Sequence, residues 1–464
     1  MTKIGVPFFL REIAADIDRA GGRAVIVGGY VRDQLMGVQS SMDYDVEVFG
    51  LEWSALKKLL SYKGKVTEAG ASFGVLKLCP EHYEFVDMDF SIPRRERKTG
   101  DGHSGFETEF DIDMPFHEAA LRRDLTINAI GYDPISKELL DPYNGLQDIK
   151  DKRIKHVSAK FAEDPLRVLR VAQFAARFEF HVDDETIELC RQLVPEMKTL
   201  PRERFFGEFK KLLLKSDMPS IGFIFLDRCG AIDLFPELKA LKGVPQNPEW
   251  HPEGDVWVHT MMVINEAAKQ RIGEEKHDLT LMFAALCHDL GKPEHTIWKD
   301  EKWRSPGHEE GGEEPTRSFL KRLTNEYDFV NEIVALVKDH LKPTIFYAEN
   351  AGMSAIRRLA LRVDIPMLIE VSKADQMGRT HWQSLARDFP AGPWLMSKYM
   401  RLDIKPGRPK DSIEPILKGR HLIALGMKPG PEMGILLSEA FQEQIDGKIE
   451  NEDQALVWAT NKLK

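Results

Sequence analysis

"VIVGGYVRDQLMG" at residues 25–37 leads almost directly into "SMDYDVEVFG" at residues 41–50. The first string is a β-branched apolar run that breaks on Gly28-Gly29 and continues as an amphipathic segment. The second alternates acids with Tyr, Val and Phe. Together they predict strand 23–28, helix 30–36 and strand 43–49. Residues two apart in a strand share a face, so Asp43 and Asp45 present both carboxylates on one side. Hard oxygen ligands in that arrangement suit Mg²⁺ completed by substrate phosphates. A Gly-Gly turn ahead of a helix lets backbone N–H groups approach a phosphate at the positive helix end. Alone, a DxD pair is usually two exposed edge acids and a Gly-Gly pair a plain turn. Strand, Gly-Gly, helix and DxD packed into residues 25–45 instead bring a phosphate cradle and a metal clamp to one sheet edge.

The bulk numbers leave room for more than this unit. A chain of 464 residues exceeds a single core, and about two to four domains are expected. A net charge of −10 excludes a polycationic nucleic-acid binder but leaves basic patches at 93–98, 122–123 and 150–155. No run of apolar residues is long enough to span a membrane, and acids enter the N-terminal stretch too early for a signal peptide. The scattered Cys79, Cys190, Cys229 and Cys287 form no CxxC pair. That pattern points to a reducing, cytoplasmic setting without a disulfide framework.

Further along, the pattern predicts helices near 7–20 and 52–60 and short strands around 73–79 and 83–91. Residues 94–118 are polar with weak periodicity and predict a long mobile loop. From about 160 the spacing becomes helical, with Asp164 before Pro165 as an acidic helix cap. Proline-rich breaks at 244–252 and 389–393 mark further boundaries. The stretch 419–459 predicts two short helices joined at 428–431.

The strings "GGYVRD", "DYDVEV", "RRDLTINAI" (122–130), "DPYNGLQDIKDKRIKHV" (141–157) and "EDPLRVLRVAQFAARF" (163–178) follow one another in order. This series resembles the class II tRNA nucleotidyltransferases (CCA-adding enzymes) and bacterial poly(A) polymerases, within the superfamily that includes DNA polymerase β. The resemblance implies an α+β fold: a polymerase-β-like head with a small mixed sheet, followed by all-helical neck, HD and tail domains. The implied boundaries are 1–140 for the head, 141–245 for the neck, 246–390 for the HD domain and 391–464 for the tail. It further implies that Asp43 and Asp45 hold catalytic Mg²⁺, while Gly28, Gly29 and Arg32 contact the triphosphate. Asp87 and Asp89 share one strand face and offer a third carboxylate. Arg123 and Asp124 would meet the ribose and phosphates with Asn128 close by; an ion pair stiffening this junction is the plainer role for Arg122. Glu163, Asp164, Arg167 and Arg170 would bind the incoming nucleotide, the Glu-Asp-x-x-Arg string reading its base. The implied activity is template-independent addition of C, C and A to tRNA 3′ ends from CTP and ATP. A-only addition, CC-only addition and poly(A) tailing share the same motifs.

A second constellation lies downstream: His259, His288-Asp289, His308, His340 and Asp375. Imidazole with carboxylate is a ligand set for Mn, Fe, Ni or Zn rather than a calcium cage. An adjacent His-Asp inside an apolar helix would be costly to bury without a partner. The ordered series resembles the HD phosphohydrolase domain, and "WHPEGDVWVHT" at 250–260 resembles the HD domain fused to some bacterial CCA-adding enzymes. That implies His259, His288, Asp289 and Asp375 as primary ligands, with His308 and His340 completing a second metal. Cyclic phosphates or phosphomonoesters are the implied substrates. An HD hydrolase carried on a non-catalytic RNA-binding N-terminal half is the reading from another class.

Overall fold

The computed structural model describes residues 4–38, 43–69, 74–81, 86–98, 106–381, 384, 386–402 and 414–464. The chain divides into two compact units. The first comprises residues 1–208 with 221–231, the second 209–220 with 232–464. No helix among the described residues is long and apolar enough to cross a membrane.

The first unit is built on a seven-stranded mixed sheet in the order β3-β4-β5-β2-β1-β8-β9. These strands are β1 (Arg23–Val27), β2 (Asp43–Phe49), β3 (Gly64–Ala69), β4 (Val75–Pro80), β5 (Asp87–Ser91), β8 (Gly131–Tyr132) and β9 (Leu139–Leu140). Alternation along β1 sets the two faces. Ala24 and Ile26 join the core formed with helices α1 (Phe8–Arg19) and α3 (Trp53–Ser61), while Val25 and Val27 pack with Phe49, Met114 and Ala119. In α3 the wholly buried Leu56 and Leu60 lie one turn apart. Each contributes roughly 1.5–3 kcal/mol by burial, so either one truncated to Ala would loosen the sheet. Helix α2 (Gly29–Met36) follows β1 with only Gly28 between them and stops at Gly37, which adopts φ 69°.

The expected loop over 94–118 is largely replaced by structure. Strands β6 (Arg94–Lys98) and β7 (Phe106–Phe110) pair antiparallel as a two-stranded ribbon, and α4 (Phe116–Ala120) follows. The charged β6 (Arg-Arg-Glu-Arg-Lys) shows no apolar period, and the alternation in β7 (Phe-Glu-Thr-Glu-Phe) is the signal that the sequence reading passed over. After α5 (Gly145–Lys150), helix α6 (Arg167–Phe178) buries Val168, Val171, Ala172 and Ala175. The cap of α6 is Leu166 rather than the expected Asp164, whose Oδ1 instead accepts the Leu166 N–H at 3.0 Å in the turn just ahead of the helix.

Among its described residues the second unit has helices and one hairpin, Ile297–Lys299/Lys302–Arg304. Helices Val256–Ala268, Glu275–Cys287, Tyr327–Asp339 and Ile365–Met377 carry or flank the predicted ligands. Two expectations are corrected here. The His288-Asp289 pair lies just past its helix, with His288 as the C-cap, rather than inside it. Consecutive helical residues diverge by about 100°, so the turn is what lets both side chains face one centre. The C-terminal stretch 419–459 belongs to three helices, not two: Gly419–Ala424, Pro431–Ile445 and Glu452–Leu463. The break comes at Gly447, with φ 78°, and Asn451 caps the last helix by accepting the Gln454 N–H at 3.0 Å.

Candidate functional sites

In the first unit the site grows from β1, the Gly28 turn and β2. Val27 pairs with Asp45 across antiparallel strands, and parallel β5 sets Asp87 opposite Asp43 and Asp89 opposite Asp45. The side chain of Asp87 lies outside the described residues. Gly28 adopts φ 74°. A Cβ added there would come within 3.0 Å of Asp45 Oδ2 and 3.5 Å of Arg123 Nη1. The turn therefore demands glycine by both conformation and space. Gly28, Asp45 and Arg123 meet at one point, with Asp43 on the same strand face. The Asp45 carboxyl is held above its usual range by surrounding protein, helped by Asp43, Asp89 and Glu47 and opposed by Arg123. Asp89 faces Lys77 Nζ at 3.3 Å. A carboxyl that burial and acidic neighbours hold against ionising is suited to a divalent cation.

Glu47 escaped the sequence reading, although it continues the parity of Asp43 and Asp45. It is 0% exposed. Arg122 Nη2 donates to its Oε1 at 2.7 Å, and Arg123 Nη2 lies 3.6 Å from Oε2. The ion-pair role expected of Arg122 is thus present, with Glu47 as its partner.

The remaining predicted residues form a buried network. Arg32 is 3% exposed; it donates to Asp33 at 2.8 Å and to Asn128 Oδ1 at 2.6 Å. Its guanidinium lies 5.0 Å from the Phe174 ring centre and 4.8 Å from that of Phe178. Asn128 donates to Asp124 at 3.0 Å, and Arg170 reaches the other Asp124 oxygen at 2.7 Å. Burial raises the Asp124 carboxyl, but Arg170 and these hydrogen bonds outweigh it and hold it below its usual range. Asp164 and Arg167 turn to separate partners. Asp164 accepts from Arg204 at 2.9 Å, while Arg167 donates to the carbonyls of Lys160 and Arg122 at 2.8 and 2.7 Å. Glu163 lines a small pocket with Arg94, Arg95, Arg122 and Lys160.

In the second unit the predicted ligands converge. His259, His288 and Asp289 form one group and Asp289, His308 and His340 another, with ligand atoms within 4.8 Å of one another in each. Asp375 Oδ1 lies 3.0 Å from His259 Nε2. The Nδ1 atoms of His288, His308 and His340 sit 2.8, 2.7 and 2.6 Å from the carbonyls of Ala285, Ser305 and Val337. That pairing makes Nδ1 the donor and leaves Nε2 as a free ligand atom. Asp289 Oδ1 lies 3.3 Å from His308 Nε2, and Asp289 Oδ2 lies 3.1 Å from His288 Nε2, with all three of Oδ1, Oδ2 and His308 Nε2 buried. Lys292 lies 2.7 Å from Asp289, and Arg379 donates to Asp375 at 2.8 Å. Despite burial, His288 and Lys292 hold Asp289 well below its usual range, and Arg379 and His259 do the same for Asp375. Burial pushes His340 down to about 3, with His308 and His288 adding to the effect. A cluster of imidazoles around a shared carboxylate fits transition metals.

Glu253, unrecognised from the sequence, accepts from both His251 and His259 at 2.9 Å and from the Thr380 N–H at 3.1 Å. It fixes the ring of His259 as a carboxylate behind a metal-binding histidine does. Its place in "WHPEGDVWVHT" was the available signal.

Comparison with known proteins gives these geometries a lineage. Residues 24–155 match the family described as "Poly A polymerase head domain". Residues 179–242 match "RNA and SrmB- binding site of polymerase A", and residues 311–459 match "tRNA nucleotidyltransferase domain 2". A "Multifunctional CCA protein" of Psychromonas ingrahamii is 36% identical over 398 residues, covering 82% of this chain and 91% of the relative. One of Methylobacillus flagellatus is 39% identical over 387 residues, covering 81% and 88%. The Bacillus stearothermophilus CCA-adding enzyme, solved in complex with CTP, shares the fold at TM-score 0.67 and 19% identity, over 98% of this chain and 96% of that one. The Thermotoga maritima CCA-adding enzyme, solved with tRNA, gives TM-score 0.61 at 19% identity, over 100% and 97%. The chain belongs to the multifunctional CCA proteins, tRNA nucleotidyltransferases built on a poly(A) polymerase head.

Proposed function

We propose that this protein adds C, C and A to tRNA 3′ ends in the cytoplasm, using CTP and ATP and no nucleic-acid template, and that its second unit is a metal-dependent phosphoesterase. The division into head, neck, HD domain and tail at 1–140, 141–245, 246–390 and 391–464 is part of the same reading. The observation that carries it is the meeting of Gly28, Asp45 and Arg123 at one turn.

Asp43 and Asp45 would hold Mg²⁺, which when bound offsets triphosphate charge and eases deprotonation of the RNA 3′-hydroxyl. The Gly28-Gly29 backbone at the start of α2 receives phosphate, and Arg123 adds positive charge beside it. Arg32, Asn128, Asp124 and Arg170 keep this turn rigid from beneath. For Asp164 and Arg167 to read a base, both exchange their present partners, so base selection is coupled to movement in the neck. In the second unit His259, His288, Asp289 and Asp375, with His308 and His340, would hold Mn, Fe, Ni or Zn, which when bound supplies an activated hydroxide for phosphoester hydrolysis.

The test uses tRNA lacking CCA, tRNA ending in CC and a generic RNA, each with CTP, ATP or both. The expected result is C incorporation into the first substrate and a stop after A. Continued A addition to generic RNA would replace this reading with poly(A) tailing, and failure to add C would reduce it to A-only addition. C incorporation that ends without A would make it CC-only. Asp43→Ala should abolish incorporation and spare hydrolysis, and His288→Ala should do the reverse. Incorporation that persists in Asp43→Ala removes the metal clamp from the head.

A further inference from the structure

Two carboxylates of the His-Asp cluster each hold a cation supplied by the chain itself. Lys292 lies 2.7 Å from Asp289, and Arg379 Nη2 donates to Asp375 Oδ2 at 2.8 Å. The two cations are fastened differently. Lys292 has a second acceptor, Gln246 Oε1 at 2.8 Å, which anchors it independently of Asp289. Arg379 has no such anchor among the described residues: its Nε is buried without a hydrogen-bond partner. A guanidinium carries five N–H donors in a planar fork, and a buried donor left unmade opposes this pose. The same side chain lines the cavity of about 460 Å³ that opens beside the cluster. The backbone on either side of it is fixed. The Thr380 N–H donates to Glu253 at 3.1 Å. At Gly378 an added Cβ would come within 2.5 Å of Val263 Cγ2 and 2.9 Å of the Val263 nitrogen. Only the Arg379 side chain can change partner, and it already borders both Asp375 and the cavity. A divalent ion held through Asp375 would offset the carboxylate charge that retains it and repel the guanidinium.

We infer that Arg379 is a transferable cation of this centre: it rests on Asp375, and a bound metal releases it to phosphate oxygens in the cavity, so that metal and phosphate each strengthen the binding of the other. The claim rests on the metal-centre reading of the second unit and gives a phosphate-binding role to a residue outside the ligand set. Arginine suits the task because its fork engages two phosphate oxygens at once and it stays charged when buried. By linkage, whatever metal does for phosphate affinity, phosphate must do equally for metal affinity.

The test measures the Ni²⁺ affinity of the full chain by equilibrium dialysis, with and without inorganic phosphate, in wild type, Arg379→Gln and Arg379→Lys. Ni²⁺ is the probe because imidazole ligands bind it tightly. Without phosphate, Arg379→Gln should bind Ni²⁺ several-fold more tightly than wild type, because the cation that competes for Asp375 is gone. Phosphate should tighten Ni²⁺ binding roughly tenfold in wild type and by no more than about twofold in Arg379→Gln. Arg379→Lys keeps the charge and loses the fork. Its Ni²⁺ affinity without phosphate should match wild type, and its response to phosphate should fall between the other two. Weaker Ni²⁺ binding in Arg379→Gln would show that the arginine braces Asp375 and would overturn the release. An equal response to phosphate in wild type and Arg379→Gln overturns the transfer. A wild-type response in Arg379→Lys does so too, independently of how well the Gln variant folds. Wild-type protein that binds no Ni²⁺ removes the metal centre and this role with it. Ni²⁺ binding that ignores both phosphate and the substitutions removes this role and leaves the centre standing.

Discussion

Glu47 shows how much a single carboxylate settles in the head. It sits on β2 with the parity of Asp43 and Asp45, yet it is shut from water and faces two arginines instead of solvent. Arg123 is placed beside Gly28 and Asp45 partly because Glu47 attracts it. Glu47→Gln keeps the shape and removes the charge, leaving Arg122 without its anion and Arg123 with Asp45 alone. Arg122 and Arg123 side chains remain 22% and 18% exposed. The cost should therefore fall below that of a fully buried broken pair, at about 2–3 kcal/mol. We expect a lower urea midpoint for the head together with a raised KM for CTP, as Arg123 loses its position. A variant with the wild-type midpoint and KM removes this role from Glu47.

At the scale of elements, success and failure of the sequence reading share one physical cause. The β1–turn–α2–β2 unit is legible because β1 buries both faces as a continuous apolar run and β2 buries Tyr44, Val46 and Val48 at alternate positions, patterns that survive in the sequence. Strand β6 carries no such period, β7 alternates over only two phenylalanines, and β3 (Gly64–Ala69) goes unread because only Val66 gives it an apolar mark near its centre. Asp43 and Asp45 are legible by alternation, whereas the Asp124–Asn128–Arg32 chain is long-range and its contacts emerge only on folding. The His-Asp pair is recognisable by type, but its position past the helix end depends on packing that spacing does not encode. Gly291 carries that packing. A Cβ there would lie 2.1 Å from the His308 carbonyl and 2.6 Å from the Gly312 nitrogen. Gly291→Ala must therefore push the His308 turn away from Asp289, at about 1–3 kcal/mol of overpacking. The expected outcome is a roughly tenfold loss of metal affinity by equilibrium dialysis, with nucleotide incorporation retained. Metal affinity at the wild-type level would show that the turn tolerates the methyl group and does not set the ligand geometry.

Across the whole molecule, charge is handled in opposite ways at the two centres. In the head the Asp45 carboxyl resists ionising, and a bound cation would settle it. The second unit buries histidines that resist protonation: His340 is pushed down to about 3 and His251 to about 4, in both cases chiefly by burial. This gives the metal-free protein a pH dependence of definite sign. Both histidines have folded values below the ordinary 6.5, so the unfolded chain takes up protons first as pH falls. Stability is full above about 6.5 and declines below it, each histidine removing about 1.4 kcal/mol per pH unit until its own folded value is reached. Asp289 and Asp375 are shifted down from 3.8, so their stabilisation persists above about 4 and is lost only below it. The window from 6.5 to 4.5 therefore belongs to the histidines. Every tryptophan except Trp53 lies beyond residue 245, so indole fluorescence follows the second unit. In EDTA, its unfolding midpoint should fall steeply between pH 7.5 and 5.0, and His340→Gln should flatten that slope. Adding Mn²⁺ or Ni²⁺ should raise the midpoint, and because metal binding competes with protons the rise should shrink toward pH 5.0. A midpoint that does not move with pH in EDTA would mean these histidines are solvated in solution and that the second unit holds no preformed metal centre.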